Sequence, residues 1–320
     1  MSVVVLTTGG TIASGRSSGD GPIAPIAGLD VVGAHLDPTV HVRAVIAVDS
    51  STMSLERMVT IRDALTAALT EPGVEGVVVL HGTDTLEETA MLLDLFHDDP
   101  RPVALTGAQR PADHPSPDGP GNINAAVQVV RRADARDRGV LIVFGDRILP
   151  ARGARKAHTT RLDAFERYLP ESDSRRRVLP WHAEVAHVRV DIVTLYPGSD
   201  RTHIDASVAA GARGVVLEAM GSGNGNPSVL AAVDDCVANG VAVVVTSRVP
   251  HGVIEPLYGG TGGGRDLSGA GAIFSPWLRA GQARIMLAAL LAAGADTDRM
   301  ASAFSDVIGL GADDRTSPTG

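Results

Sequence analysis

The chain has 320 residues, a hydrophobic share of 44% and a formal net charge of −9. A chain of this length usually folds into one large or two medium domains, and this apolar share is enough for a sizeable core. The negative charge argues against nucleic acid and anionic membrane surfaces as general partners. Cys236 is the single cysteine, so an internal disulfide and a cysteine metal cluster are both excluded.

The start of the chain and its longest apolar stretch indicate where the protein works. Met1 and Ser2 lead directly into an apolar run, without the basic and apolar segments of a signal peptide. The longest apolar stretch, residues 285–293, is too short to span a bilayer. We therefore expect a cytoplasmic protein that binds neither membranes nor nucleic acid.

Strand-like and helix-like segments alternate along the first half of the chain. The apolar runs are rich in β-branched residues and do not alternate with polar ones, which is typical of central strands in a parallel sheet. The predicted strands are residues 3–6, 43–48, 76–80, 102–105 and 140–144, and the predicted helices are 55–69, 86–96 and 122–133. Glu87 and Glu88 lie in the first turn of the second helix, where a negative charge interacts favourably with the positive end of the helix dipole. This order predicts βαβ units.

The alternation stops near residue 147 and returns after residue 187. The predicted strands of the second half are residues 191–195, 214–217 and 241–245, and the predicted helices are 206–212, 228–239, 277–293 and 297–307. The glycine-rich run 259–264 is expected to be a loop with no helix directly after it. The sequence thus predicts an α/β protein: a larger N-terminal domain with a parallel-rich, doubly wound sheet (1–169), a linker (170–187) and a smaller α/β C-terminal domain (188–320).

Small hydroxyl side chains follow four of the five predicted N-terminal strands. They are Thr7, Thr8 and Thr11, then Ser50, Ser51 and Thr52, then Thr83 and Thr85, and finally Thr106. Each loop taken alone is explained by a helix N-cap. However, the carboxyl ends of parallel strands share one edge of the sheet. Gly9, Gly10 and Gly82 would also let a ligand approach the backbone and leave N–H groups free for an oxyanion. This combination indicates nucleophilic chemistry without a metal.

A phosphate-binding loop is an alternative interpretation of residues 8–11. Neither the dinucleotide-binding glycine fingerprint nor the P-loop pattern with its lysine is present there. The sequence therefore gives little support to nucleotide binding.

Thr83 needs a proton acceptor if its hydroxyl is to act as a nucleophile, because a free hydroxyl reacts poorly at neutral pH. Lys156 is a candidate, since it stands in a chain that otherwise uses arginine. A lysine beside a carboxylate is subject to two opposing effects, desolvation and the neighbouring charge. Taken alone, a solvated loop lysine is the simpler interpretation of this residue.

Two segments are similar to the signature motifs of bacterial-type L-asparaginases. They are residues 8–13, Thr-Gly-Gly-Thr-Ile-Ala, and residues 76–86, Gly-Val-Val-Val-Leu-His-Gly-Thr-Asp-Thr-Leu. The resemblance covers nearly the whole chain, through further segments in family order at 48–51, 107–111, around Lys156, 223–226 and 247–250. It implies hydrolysis of the side-chain amide of L-asparagine, with slower hydrolysis of L-glutamine, no cofactor, and a homotetramer built from dimers.

The resemblance also implies roles for individual residues. Thr11 would be the primary nucleophile that forms an acyl-enzyme, and Thr83, Asp84 and Lys156 would form a second triad. The residues implied in substrate binding are Ser50, Ser51, Gly82, Thr83, Asp84, Ala108 and Asn226, and Asn226 would reach into the site of a partner subunit. Many members carry a tyrosine on the loop after the first motif, whereas residues 19–25 of this chain contain none.

Two other functions remain open from the sequence. The glutaminase subunit of a tRNA-dependent amidotransferase uses the same motifs, but such subunits carry an extra domain before the first strand, which here begins at Val3. A sensor that binds asparagine or aspartate without turnover is compatible with the altered loop at residues 19–25.

Overall fold

The computed structural model describes residues 1–10, 37–169 and 178–306. The chain divides into two compact units, Met1–Arg167 and Tyr168–Gly320. The predicted linker, 170–187, falls just after this division. Its residues 170–177 lie outside the described part, and residues 183–187 form a short 3-10 helix with Val185 buried. The assignment of 170–187 as a linker stays a prediction.

The N-terminal unit is built on a six-stranded sheet with the order β2-β1-β3-β4-β5-β6. Its strands are β1 Ser2–Gly9, β2 Val40–Val48, β3 Val74–Leu80, β4 Val103–Thr106, β5 Val140–Phe144 and β6 Arg147–Pro150. The first five are parallel to their neighbours, and β6 pairs antiparallel with β5. Every residue of β4 and β5 is buried. Burial on both faces is the reason why these segments carry no polar alternation.

Three helices of the N-terminal unit pack on this sheet: α1 Leu55–Thr70, α2 Leu86–Phe96 and α3 Gly119–Val130. Ile123 and Val127 of α3 pack against Val78 and Leu80 of β3 in one apolar cluster. The alternate side chains of the central strands, such as Val79, are buried as well. The structure therefore confirms the predicted α/β architecture, with a mostly parallel sheet in the larger unit.

Residues 147–167 contain more regular secondary structure than the sequence pattern predicted. Besides β6 they contain β7 Ala154–Lys156 and β8 Phe165–Arg167, which form an antiparallel two-stranded sheet. Strands of three or four residues are too short to produce a period-two pattern, so no element was predicted here. This small sheet matters because β7 ends with Lys156.

The C-terminal unit has a four-stranded, fully parallel sheet with the order β12-β11-β10-β9. Its strands are β9 Val190–Thr194, β10 Gly214–Ala219, β11 Ala242–Ser247 and β12 Ile273–Phe274, and its helices are α4 Thr202–Ala209, α5 Pro227–Ala238, α6 Gly264–Gly269, α7 Ala280–Ala292 and α8 Thr297–Ser305. Two expectations were wrong here. The helix predicted at 206–212 begins at Thr202, and α6 follows the glycine-rich run directly.

The glycine-rich run is followed by a helix because Asp266 closes the turn. Its carboxylate accepts the N–H groups of Gly262, at 2.9 Å, and Gly263, at 3.2 Å. Within the described ranges, no helix is both long and apolar enough to cross a membrane.

Candidate active site

Strands β1 and β3 bring the two predicted motif loops together at their carboxyl ends. Thr8 donates its hydroxyl to the carbonyl of Leu80 at 2.9 Å. Gly10 has a φ of +85°, and a Cβ added to it would lie 2.5 Å from the Cα of Gly82. No side chain fits between the two loops, which explains why both positions carry glycine. Thr11, the predicted nucleophile, lies outside the described residues.

Ser50 lies directly against the second of these loops. It is buried at the start of a short 3-10 helix, Ser50–Thr52, that follows β2. A Cβ on Gly82 would lie 2.4 Å from its hydroxyl oxygen, and Thr85 donates its hydroxyl to the carbonyl of Ser50 at 2.9 Å. The side chain of Ser51 is turned to Asp49 instead, at 2.7 Å, and is exposed. The structure thus brings Ser50, and not the Ser51 hydroxyl, against Gly82.

Lys156 joins the two polar residues that precede helix α2. Its ammonium donates to the Thr83 hydroxyl at 2.7 Å and to Asp84 Oδ1 at 2.8 Å. The side chain of Lys156 is only 19% exposed, whereas that of Asp84 is 61% exposed. The interpretation of Lys156 as a solvated loop lysine is therefore wrong. Asp84 presents an accessible carboxylate, whereas Thr83 is buried.

Glu87 holds the backbone of the same lysine. Its Oε2 accepts the N–H of Lys156. Burial raises the pKa of Glu87 to about 8, and the negative charge of neighbouring Glu88 contributes to this rise. Glu87 and Glu88 do lie in the first turn of α2, as predicted, and the raised pKa of Glu87 reduces the negative charge that it contributes there at neutral pH.

The loop after β4 is held by the start of helix α3. Asp118 accepts the N–H of Gln109 at 3.0 Å and that of Arg110 at 2.8 Å, and Asn122 donates to the carbonyl of Gly107 at 2.9 Å. Ala108, a predicted substrate-binding residue, lies buried within this loop. Sequence reasoning missed Asp118 and Asn122. The helix was predicted to begin at residue 122, whereas it begins at Gly119 with Asp118 as its N-cap, and an aspartate at an N-cap indicates only an ordinary helix start.

The loop after β4 also lies against the end of β3. A Cβ on Gly107 would be 2.4 Å from the carbonyl oxygen of His81. His81 itself is fully buried, with Nδ1 2.8 Å from the carbonyl of Gly82 and Nε2 2.9 Å from the Thr89 hydroxyl. The His81 ring is therefore a buried group that hydrogen-bonds to the backbone of Gly82 and to the Thr89 hydroxyl. Ser50, Gly82, Thr83, Asp84 and Lys156 thus lie around one edge of the sheet, with the Ala108 loop beside them.

Asn226, predicted to serve a partner subunit, lies in the C-terminal unit at the N-cap of α5. Its Oδ1 accepts the N–H of Val229 at 3.0 Å, and its Nδ2 donates to the carbonyl of Ser199 at 2.8 Å. Within the single chain its side chain therefore has a structural role, and its contribution to a neighbouring site stays a prediction. In the part of the chain that is described, no cluster of three or more histidine, cysteine or acidic side chains could hold a metal.

The sequence matches a known family over both units. Residues 2–173 match the family described as Asparaginase, N-terminal, and residues 189–304 match the Glutaminase/Asparaginase C-terminal domain. The chain belongs to the asparaginase family. The suspected resemblance is thereby confirmed, and the glycine loops and the lysine triad described above lie within the family's N-terminal domain.

Individual relatives of this asparaginase-family chain extend over most of its length. An L-asparaginase of Bacillus licheniformis is 32% identical over 306 residues, covering 91% of this chain and 95% of that protein. A glutamyl-tRNA(Gln) amidotransferase component of Pyrobaculum aerophilum is 34% identical over 283 residues, covering 80% of this chain and 67% of that protein. The crystal structure of a probable cytoplasmic L-asparaginase from Campylobacter jejuni matches with a TM-score of 0.82 at 27% identity, covering 95% of this chain and 98% of that one.

Proposed function

We propose that this protein is an L-asparaginase, which hydrolyses the side-chain amide of L-asparagine to give L-aspartate and ammonia, and hydrolyses L-glutamine more slowly. The observation that carries this proposal is the placement of the Lys156 ammonium 2.7 Å from the Thr83 hydroxyl and 2.8 Å from Asp84. Membership of the asparaginase family supports the same activity.

In this proposal the free amino acid is held by its two charged groups. The exposed carboxylate of Asp84 is suited to the substrate ammonium, and the Ser50 hydroxyl with the backbone N–H groups at Gly82 and Thr83 is suited to its carboxylate. Ala108 offers backbone groups to the amide that reacts. These assignments use only groups at the carboxyl ends of adjacent strands.

We propose Thr11 as the nucleophile. Its hydroxyl oxygen forms a bond to the amide carbon, the bond to nitrogen breaks, and the nitrogen leaves as ammonia after it takes up a proton. Water then hydrolyses the acyl-enzyme and returns the threonine hydroxyl. The Thr83–Lys156–Asp84 triad moves protons in one or both steps, and donors at Thr83 or Ala108 stabilise the oxyanion. Asn226 of a neighbouring copy would complete the site.

Ammonia release tests the activity and the triad together. We expect purified protein to release ammonia from asparagine without added cofactor, and Thr83→Ala, Lys156→Met and Thr11→Ala each to lower turnover by about 100-fold or more. Thr60→Ala is a matched control, because Thr60 is an exposed threonine on α1 that donates only to the carbonyl of Glu56, at 3.1 Å. Full turnover in the Thr11 and Thr83 variants would contradict the assigned roles.

Ammonia release, together with calorimetry, distinguishes the amidotransferase subunit and the sensor from an L-asparaginase. The match covers 67% of the amidotransferase relative and 95% of the B. licheniformis L-asparaginase, so the similarity to the L-asparaginase is the more extensive of the two. Turnover of glutamine in preference to asparagine would favour the amidotransferase class. Tight binding of asparagine by calorimetry without ammonia release would favour a sensor.

We further propose that the protein is a cytoplasmic homotetramer built from dimers. The name of the C. jejuni protein, a probable cytoplasmic L-asparaginase, supports the compartment. Light scattering on the purified protein measures the mass of the assembly. A stable monomer with full turnover would contradict both the tetramer and the role proposed for Asn226.

A further inference from the structure

Helix α2 holds Lys156 at two points. The residues just before the helix, Thr83 and Asp84, accept hydrogen bonds from the lysine ammonium, and Glu87 in its first turn accepts the backbone N–H of the same lysine. The two contacts lie at opposite ends of one long side chain. Together they fix where the side chain starts and where it ends.

The strand that carries Lys156 is short. Strand β7 has three residues and pairs with β8, which also has three. Phe165 of β8 is fully buried with its ring 5.0 Å from that of Phe144 on β5, so β8 is held against the large sheet. The hydrogen bond from Lys156 to Glu87 joins this small sheet to a helix that packs on the large sheet.

The burial and the charged neighbours of Glu87 decide the protonation of its carboxyl. The charged groups that act on its carboxyl include Glu88 on its own helix and Arg155 and Lys156 on β7. Arg155 is itself paired with Glu166 of β8 at 2.6 Å. Burial raises the pKa of Glu87 to about 8, and Glu88 contributes to this rise. A neutral carboxyl still accepts the backbone N–H of Lys156.

We propose that Glu87 is a positioning residue for the hydrolysis, which anchors the backbone of Lys156 to helix α2 and so holds the lysine ammonium against Thr83 and Asp84. This inference rests on the proposed function. Above pH 8 Glu87 ionises, and its charge then holds the proton on the lysine more tightly. The plot of kcat against pH for the wild-type protein should therefore show an inflection near pH 8.

Three variants test the anchor. Glu87→Ala removes the acceptor, and we expect kcat for asparagine to fall 10- to 100-fold, on the order of the loss from misplacing a catalytic group by about 1 Å. The KM for asparagine stays near the wild-type value, because Ser50 and Asp84 are untouched. Glu87→Gln keeps an acceptor oxygen, restores most of the lost kcat, and removes the change in the pH profile near pH 8. Glu56→Ala, on the exposed first turn of α1, is the matched control.

Infrared titration of the wild type against Glu87→Gln gives a readout that needs no turnover. A protonated carboxyl band that disappears near pH 8 in the wild type, and is absent from the Gln variant, shows that the buried Glu87 carboxyl is neutral where it accepts the Lys156 N–H. A Glu87→Ala variant that folds and keeps the wild-type kcat overturns the inference, and so does a folded Glu87→Gln variant with less than about a tenth of the wild-type kcat. A wild-type protein that releases no ammonia contradicts the proposed function instead, and the infrared result then still decides the state of Glu87.

Discussion

His81 shows how a single side chain is fixed in one protonation state beside the candidate site. A carbonyl only accepts hydrogen bonds, so Nδ1 must carry the hydrogen that reaches Gly82, and Nε2 must accept from the Thr89 hydroxyl. Burial lowers the pKa of His81 to about 4, although the Gly82 carbonyl opposes this shift. The ring is therefore neutral at neutral pH and stabilises the glycine loop without adding charge.

The neutral His81 makes stability depend on pH. Between its ordinary pKa of 6.5 and the folded value of about 4, the unfolded chain takes up a proton that the folded chain rejects. The contribution of the neutral His81 to the free energy of unfolding is therefore fully present above pH 6.5, and it is lost as the pH falls towards 4. We expect urea titrations to show about 2 kcal/mol less free energy of unfolding at pH 5 than at pH 7 from this group.

His81→Gln checks the origin of this effect, because glutamine does not titrate. The variant should lose much of the difference in the free energy of unfolding between the two pH values, whatever its absolute stability. His203→Gln, an exposed histidine on α4, should keep it. An unchanged difference in His81→Gln would show that His81 is not the titrating group.

Helix α3 acts as an element that joins two loops. Asp118 occupies its N-cap position, yet its carboxylate makes no capping bond to its own helix. It accepts from Gln109 and Arg110 instead, and Asn122 one turn later binds Gly107 and also accepts the N–H of Gly145 at 3.1 Å. The start of this helix therefore fixes the loops after β4 and β5 relative to one another.

Removal of the Asp118 carboxylate should loosen the loop that contains Ala108. We expect Asp118→Ala to lower kcat/KM for asparagine by up to about 100-fold, because a small displacement of the Ala108 backbone is costly to catalysis. Asp296→Ala is a matched control, since Asp296 does cap its own helix, α8, by accepting the N–H of Arg299 at 2.8 Å. That variant should lose about 1 kcal/mol of stability and keep its kinetics. Equal kinetics for both variants would contradict the loop role.

At the scale of the whole molecule, the sequence predicts those features that depend on local pattern. The central strands are recognisable because burial on both faces makes them continuously apolar, and Thr83 and Asp84 are placed correctly because they directly follow one of them. The contact of Glu87 with Lys156 joins residues 69 positions apart. Such contacts follow from the packing of the sheet and its helices, and no local pattern encodes them.

A buried ion pair between residues 58 positions apart joins three parts of the N-terminal unit. Asp94 on α2 is 2.7 Å from Arg152, with side-chain exposures of 2% and 6%, and its other oxygen accepts the N–H of Val140 on β5 at 2.8 Å. A charge left in such a place without its partner is costly, because the remaining side chain stays out of water. The pair therefore fixes the segment after β6 to both the helix and the sheet.

We expect Asp94→Ala to lower the free energy of unfolding of the N-terminal unit by about 3–5 kcal/mol. The exposed pair Arg132–Asp134, with side-chain exposures of 51% and 64%, gives the comparison. Asp134→Ala should cost much less, because water screens an exposed ion pair. The double variant Asp94→Leu/Arg152→Met should recover much of the loss, because it removes both charges of this pair together. Urea unfolding of the three variants measures these differences, and equal losses for Asp94→Ala and Asp134→Ala would show that burial of the ion pair does not govern its contribution.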